Sequence, residues 1–425
     1  MTDLSTPTTA LPSSGPPTIR AVRVEVVTGP DAGSHLRGVS ERIVIGTHRT
    51  ADLVLTDKTV SRFHLELVIE GDAVHIRDLG SKNGTLLDGV ELESARLRGA
   101  TILSIGQTEL RVDLLGEAVA IALAPQEQFG GLVGASSLMR ITFERLSQSA
   151  RRATHVLIEG ERGTGKDLAA AALHDLSPRR DAPLDVIDCN MAALEVEAML
   201  FGRGLQPGAL ERCHGGTLVL DEVGNLARNT QRMLVRALED RAVRRADTQQ
   251  DADVRIIALS RRNLRIDVNT DRFLPDLFEL LATSRIRLPP LRERLEDIPL
   301  LVARFIGAEA SRASAQLQTA ESLDQLRSGP WPGNVRELRA YVEQALAGET
   351  PAAETEPPLV DANLPLRSAR ERWVRYFERT YVADLLERTG GNVSAAAACA
   401  GVDRVYLHRM ITRTGLRAQL SRDRK

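Results

Sequence analysis

Val156-Leu157-Ile158-Glu159-Gly160-Glu161-Arg162-Gly163-Thr164-Gly165-Lys166-Asp167 is the stretch on which the fold turns. Three apolar residues predict a buried strand. A glycine-rich turn follows, and the segment from Asp167 to Leu173 is compatible with a helix. Gly160, four further residues, Gly165 and Lys166 match a phosphate-binding loop, with Asp167 where Ser or Thr is usual. Glycines let successive backbone N–H groups turn inward, and the helix that follows directs its positive end to the same point. Lys166 adds a full charge for the β- and γ-phosphates. Only four of the 55 basic residues are lysines (Lys58, Lys82, Lys166, Lys425), so the ammonium here is a departure from an arginine-rich background. Gly160, Gly163, Thr164, Gly165, Lys166 and Asp167 are therefore the candidate nucleotide-binding residues of an α/β domain. The competing possibility is a plain glycine turn between a strand and a helix.

A second apolar run, Gly215 to Leu220, ends in Asp221-Glu222 about 55 residues further on. A strand-end Asp-Glu is weak alone and strong at this distance from a phosphate loop. Asp221 is expected to hold Mg²⁺ beside ATP or ADP, and Glu222 to orient or deprotonate a water. A further buried strand is expected over Asp253–Ala258, within a parallel sheet flanked by helices.

At 425 residues the chain exceeds one ordinary core, so several domains are expected. Hydrophobic content of 43% and charged content of 26% suit a soluble globular protein, and the net charge of −2 gives no global sign of nucleic-acid binding. Cys189, Cys213 and Cys399 are too few and too scattered for a disulfide framework or zinc site. No apolar run reaches membrane-spanning length and no signal-peptide core is seen, so a cytoplasmic location without membrane association is expected.

Residues 1–18 are rich in Thr, Ser and Pro and read as a disordered tail, in which Thr6, Thr8 and Thr9 are possible phosphorylation sites. Between Val22 and Leu115, short alternating strands separated by Gly/Asp turns predict an all-β sandwich. It carries Ile45-Gly46, then Val60 to His64, Asp78 to Thr85, Gly89 and Ser104 to Gly106. This order resembles the forkhead-associated (FHA) domain, which binds phosphothreonine peptides on loops at one end. The resemblance covers residues 19–116. It implies that Ser61 and Arg62 hold the phosphate, with Ser81, Lys82 and Asn83 beside it, and that His64 braces the loop. Where that family has Arg directly after the first glycine, this chain has Thr47, and Arg49 is the nearby substitute. A sandwich that keeps the fold and binds no phosphate is the alternative.

Residues 117–131 form a linker. Residues 132–347 resemble the AAA+ central domain of bacterial enhancer-binding proteins, the activators of sigma-54 RNA polymerase, through the loop, the Asp221-Glu222 strand, Leu288-Pro289-Pro290-Leu291-Arg292-Glu293-Arg294 and Trp331-Pro332-Gly333-Asn334-Val335-Arg336. The resemblance implies an oligomeric ATPase in which Arg336 senses nucleotide from a helical lid and Asn190 couples Glu222 to the remodelling loop. That loop, Gly-Ala-Phe-Thr-Gly-Ala in the family, belongs between Gly202 and Gly215. Only Arg203 to His214 fill the interval, and the motif is absent. The family's sensor Asn is Arg261 here. Its two trans-acting arginines align with Leu274 and Leu280. Such a finger is worth about 10³- to 10⁵-fold in turnover, so nucleotide binding with slow or absent hydrolysis is expected, without remodelling of the sigma-54 closed complex by the usual loop.

A Pro/Ala/Glu linker spans 348–366. Residues 367–425 hold 13 basic and 6 acidic side chains, a balance of 13 − 6 = +7. Helix patterns over Phe377–Arg388, from Asn392 to Ala400, and over Asp403–Thr414 resemble the Fis-type helix-turn-helix. The resemblance places Arg404, Tyr406, His408 and Arg409 toward promoter DNA and Arg413 toward phosphates. A basic dimerisation module is the alternative. Three functions are in contention: a phosphothreonine-responsive DNA-binding regulator, an active remodelling ATPase, and a phosphopeptide scaffold. The missing loop motif weighs against the second, and the basic terminal helices against the third.

Overall fold

The computed structural model describes residues 18–38, 42–70, 73–120, 122–204, 206–245, 248–307 and 312–347, together with residues 373, 377–378, 380–386, 388–389, 392–401, 407 and 410–411. The chain divides into two compact units, 1–290 and 291–425.

In the first unit the alternation of apolar and polar residues produces two sheets. β1 (Thr18–Thr28), β2 (His35–Gly38), β7 (Thr85–Leu87), β8 (Val90–Leu92), β10 (Thr101–Ile105) and β11 (Thr108–Ala120) lie in the order β2-β1-β11-β10-β7-β8. β3 (Arg42–Gly46), β4 (Leu53–Val54), β5 (Leu65–Glu70), β6 (Ala73–Asp78) and β9 (Ser94–Leu97) form the other sheet, ordered β4-β3-β5-β6-β9. Val22, Val24, Ile43, Ile45, Leu65 and Leu67 meet in the core between them. His64 is wholly buried. Its Nδ1 accepts from the Ser61 N–H at 3.1 Å, so the proton sits on Nε2, which donates to the Gly84 carbonyl at 3.1 Å. The bracing expected of His64 is thus a bridge between two loops.

Within the linker expected over 117–131, the described residues include two strand segments. β11 continues to Ala120 because Thr18–Arg20 of β1 extends alongside to pair with it. Beyond it, β12 (Gln128–Phe129) pairs with β13 (Leu132–Val133) in a two-stranded ribbon, and Ala124 and Phe129 are buried against the next domain. Spacing alone could not reveal these partners.

Then comes the α/β domain, with α1 (Ser137–Ala150), β14 (Val156–Glu159), α2 (Lys166–Asp175), β15 (Leu184–Asp188), α3 (Ala193–Phe201), α4 (Ala209–Arg212), β16 (Thr217–Asp221), α5 (Arg228–Asp240), β17 (Ala242–Arg245), β18 (Thr248–Asp251), β19 (Arg255–Ser260), α6 (Leu264–Asn269), α7 (Pro275–Leu281) and β20 (Ser284–Arg287). The sheet is parallel, in the order β15-β16-β19-β14-β20. β14 and β19 are central and buried at every position, which explains why they read as continuous rather than alternating apolar runs. α1 starts where Ser136 Oγ accepts from the Met139 N–H, and it packs Met139, Phe143 and Leu146 on one face of the sheet. α3 to α7 cover the other face.

Arg255 is buried in this core. Its guanidinium donates to the carbonyls of Ser149, Thr154 and Leu173 at 2.7, 3.2 and 3.3 Å, joining the ends of α1 and α2 to β19. Burial, with Arg179 nearby, pushes it down to about 10. The Ser149 and Leu173 carbonyls lie near helix C-termini, where a cation is favoured, and Thr154 lies in the connection before β14.

In the second unit, α8 (Ile298–Ile306), α9 (Arg312–Leu317), α10 (Ala320–Arg327) and α11 (Asn334–Leu346) pack together. Further on, α12 (Val393–Ala400) begins where Asn392 Oδ1 accepts from the Ala395 N–H at 3.2 Å, and Gly401 ends it in a left-handed conformation. Val382, Leu385, Leu386, Ala396, Leu407 and Ile411 share a small core.

His155 offers a pH test. Its Nδ1 accepts from the Ile256 N–H at 2.9 Å, which requires the neutral ring, and burial followed by the charges of Arg179 and Arg255 lowers its pKa to about 4. The unfolded chain therefore binds a proton near the ordinary value of 6.5 that the folded chain refuses. Stability is full above that value and declines as pH falls toward 4. At pH 5 the loss is up to about 2 kcal/mol. His155→Asn keeps an acceptor there, and its α/β-domain unfolding transition should show a smaller drop between pH 7 and pH 5 than wild type; an equal drop would assign the acid sensitivity elsewhere.

Candidate functional site

The carboxyl ends of β14, β15, β16 and β19 converge, because Glu159 is in register with Ser260 and Asp188 with Asp221. A ligand site at these strand ends is the usual consequence of an open parallel sheet. The turn after β14 is built as its glycines require. Gly163 and Gly165 have φ of +80° and +105°, and a Cβ on Gly165 would lie 2.7 Å from Leu132 Cδ2. A Cβ on Gly160 would meet Thr164 Oγ1 at 2.9 Å and the Leu288 carbonyl at 3.1 Å. Gly160, Gly163, Thr164, Gly165, Lys166 and Asp167 thus form one loop-to-helix unit, with Thr164 Oγ donating to the Glu161 carbonyl at 2.9 Å.

Lys166 is buried. Its Nζ donates to the Gly160 and Glu161 carbonyls at 2.9 and 3.2 Å, so the ammonium folds over its own loop. Burial lowers its pKa, against the opposing pull of Glu222, Asp221 and Asp167. Asp221, at the end of β16, is pushed upward by burial and then by Asp167 and Glu222, an accumulation of carboxylates that a divalent cation would relieve. Among the described residues no group of three or more His, Cys, Asp or Glu forms a ready-made metal cage.

Glu222 follows with φ +53°, a left-handed backbone for a non-glycine residue. Its carboxylate meets Arg261, with Nε 2.8 Å from Oε1 and the backbone N–H 3.4 Å from Oε2. Asn190 was expected to engage Glu222. Its amide instead donates to Asp188 Oδ1 at 2.6 Å and its oxygen accepts from Asn225 at 2.7 Å. The reason is geometric: the turn after β15 brings the Asp188 carboxylate within two residues of Asn190, and Arg261 already occupies the carboxylate of Glu222. Sequence reasoning singled out Arg261 as an odd residue but could not pair it with Glu222, 39 positions away.

Leu274 and Leu280 are partly buried against the hydrophobic core beside α5 and α7. Arg285 pairs with Glu159 at 2.5 Å, and Arg272 with Asp267 at 3.4 Å. Between α3 and α4 the chain closes tightly, with Arg203 and Gln206 exchanging backbone hydrogen bonds at 3.1 Å across residue 205, which lies outside the described residues. Cys189 is buried and free, its thiol pushed up to about 12. Arg336 is exposed on α11 in the second unit. Arg404, Tyr406, His408, Arg409 and Arg413 lie outside the described residues.

The sandwich residues form a second cluster. Ser61 Oγ accepts from the Lys82 N–H at 2.9 Å, Ser81 Oγ donates to Asp78 at 2.7 Å, and Asn83 Nδ2 donates to the Thr59 carbonyl at 2.7 Å. Arg62 points away from this loop network and onto the α/β domain. Its Nη1 donates to Asp271 Oδ1 at 2.8 Å and to the Val268 carbonyl at 3.1 Å. Arg49 Nε likewise donates to Glu279 at 2.5 Å. Nothing local in the sequence predicts either pairing, which spans more than 200 residues.

Comparison with known proteins places these features in a family. Residues 132–287 match the sigma-54 interaction domain and 292–357 the AAA+ ATPase lid domain. Residues 25–114 match a model described as the cytoplasmic domain of an inner-membrane component of type III secretion. The nitrogen assimilation regulatory protein NtrX of Azorhizobium caulinodans is 37% identical over 67% of this chain and 69% of its own. A crystal structure of NtrX from Brucella abortus with ADP is 31% identical, covering 68% of this chain and 69% of that one, with a TM-score of 0.47. A forkhead-associated domain solved for phosphothreonine-dependent interactions is 26% identical over 23% of this chain and 99% of its own, with a TM-score of 0.21. Among the described residues no helix is long and apolar enough to cross a membrane.

Gly165→Ala tests the loop geometry. Strain at positive φ costs about 1–2 kcal/mol, so the variant should melt about 2–6 °C lower in the ATPase-domain transition. An unchanged midpoint would mean the loop does not hold this conformation.

Proposed function

The chain belongs to the sigma-54-dependent transcriptional regulators, and on that premise we propose that it is a DNA-binding member whose core binds ATP and turns it over slowly. The observation that carries this reading is the Arg261–Glu222 pair beside an intact phosphate loop. Backbone N–H groups of Gly160 to Lys166 would cradle the phosphates and Lys166 would swing from its loop carbonyls to them. Asp221, with Asp167 beside it, would hold Mg²⁺, which supplies charge neutralisation at the β- and γ-phosphate oxygens. Glu222 is the residue positioned to orient an attacking water, but both its oxygens are directed at Arg261. Leu274 and Leu280 pack into the core where the family resemblance puts charge-stabilising arginines. Asn190 supports the Asp188 turn, and Arg336 would sense nucleotide from the lid.

The short turn at Arg203–Gln206 supports a regulator that does not open sigma-54 promoter complexes by the usual loop. Input is a phosphothreonine protein bound by Ser61, Arg62, Ser81, Lys82 and Asn83. Output is promoter DNA, contacted by the terminal helices. Exposed Leu184 and Val186 on edge strand β15, with Leu194 on α3, support self-association into a homo-oligomer. The location is cytoplasmic, with sigma-54 RNA polymerase as a further partner.

A fluorescent ATP analogue should bind the full chain and bind Lys166→Ala at least tenfold more weakly. Steady-state turnover should lie at or below about 10⁻² s⁻¹, a thousandfold under a typical enzyme, and rise in Arg261→Asn. Wild-type turnover near 10 s⁻¹ would refute the slow-hydrolysis reading.

Binding to a mixed-sequence duplex should weaken steeply with salt, and Arg413→Ala should reduce the slope of log affinity against log salt by about 0.9. Arg404→Ala/Arg409→Ala should bind more weakly; unchanged affinity would refute the recognition-helix assignment.

A further inference from the structure

The surface between sandwich and ATPase is built with specificity. Phe63 follows Arg62 and is wholly buried, not in the sandwich core but among residues of α6 and α7, with its ring 5.1 Å from that of Phe278 and the Arg265 guanidinium 5.4 Å from its centroid. Burying such a ring is a strong docking force. Asn269, the last residue of α6, reads the sandwich backbone. Its oxygen accepts from the Phe63 N–H at 3.1 Å, and its amide donates to the Phe63 and Leu79 carbonyls at 2.6 and 3.0 Å. Around this apolar and backbone contact stand two ion pairs, Arg62–Asp271 and Arg49–Glu279. Both guanidinium groups available to a phosphate on this end of the sandwich are therefore engaged by carboxylates of the ATPase domain. Asp271 holds a left-handed φ of +54° as it does so, and Arg228 donates to its carbonyl.

We propose that this surface is a phosphate-displaceable latch, in which Asp271 and Glu279 act as internal pseudo-ligands so that a phosphothreonine segment and the docked ATPase exclude each other at Arg62 and Arg49. The latch rests on the phosphothreonine reading of the sandwich given above. A phosphate dianion outcompetes a carboxylate for a guanidinium because it carries more charge and more acceptor oxygens. Release would reach the nucleotide site through α6. Arg262, just before α6, pairs with Asp267 of that helix at 3.2 Å and donates to the Gly224 carbonyl and Asn225, two and three residues after Glu222, at 2.6 and 3.0 Å. Its neighbour Arg261 is the partner of Glu222. Docking thus holds the segment that restrains Glu222, and by reciprocity what loosens that segment favours the phosphopeptide.

The test uses the full chain, an immobilised degenerate phosphothreonine peptide pool with its unphosphorylated counterpart, and hydrogen–deuterium exchange. Asp271→Asn is isosteric and Asn tolerates the left-handed backbone, so the fold should survive. It should bind the phosphorylated pool about two- to fivefold tighter than wild type, and Asp271→Asn/Glu279→Gln roughly tenfold tighter, while Arg62→Ala should lose binding. Adding the pool to wild type should raise exchange in residues 264–271. Equal affinity of wild type and Asp271→Asn, with unchanged exchange at 264–271, overturns the latch. Failure of every variant to retain the phosphorylated pool overturns the phosphothreonine reading instead, and the displacement with it.

Discussion

The parallel pairing of β14 with β19 is the constraint on which the rest of this molecule depends. Both strands are buried along their whole length, so their central residues are apolar, and their pairing makes each leave the sheet at the same level. One exit becomes the phosphate loop and the other becomes Ser260–Arg261. The buried Arg255 at the start of β19 reinforces this by tying the strand to the ends of α1 and α2 through three carbonyls. A guanidinium is tolerated there because its donors meet three backbone carbonyls.

From that alignment the electrostatics follow. Lys166, Asp167, Asp221, Glu222 and Arg261 are gathered at the carboxyl ends of the strands, where burial lowers the pKa of Lys166 and burial with the neighbouring carboxylates raises that of Asp221. The balance is not that of a site in which a free carboxylate faces water. Glu222 is clasped by Arg261, and Asn190 bonds Asp188 in a local turn. A second charge network runs into the same sheet. Glu66 of the sandwich lies 2.9 Å from Arg42, 3.6 Å from Arg265 and 4.0 Å from Arg285, and Arg285 pairs with Glu159 at the base of the phosphate loop. Buried charges of this kind are costly unless paired, so their arrangement specifies how sandwich and ATPase domain meet more than it stabilises either.

Much of the architecture was legible from local pattern. Strands of the sandwich alternate because one face meets the core, and the ATPase strands run continuously apolar because both faces do. The glycines at positions 163 and 165 announce a left-handed backbone that the loop adopts. The strand segments at 117–120 and at Gln128–Phe129 were not legible, because their cause is a partner strand a hundred positions away and a hydrophobic seat for Phe129.

By itself the sequence determined the phosphate loop and the strand-end carboxylates, since each depends on residue type and short spacing, while Leu274 and Leu280 stand out only against the pattern of the family that the chain resembles. Only the tertiary structure decided which charges face each other. Arg261 reaches Glu222, Arg62 reaches Asp271 and Arg49 reaches Glu279 because sheet register and domain docking bring distant positions within hydrogen-bond range. A guanidinium is indifferent to which carboxylate or phosphate it meets, so its residue type announces a cation, and the fold selects the anion.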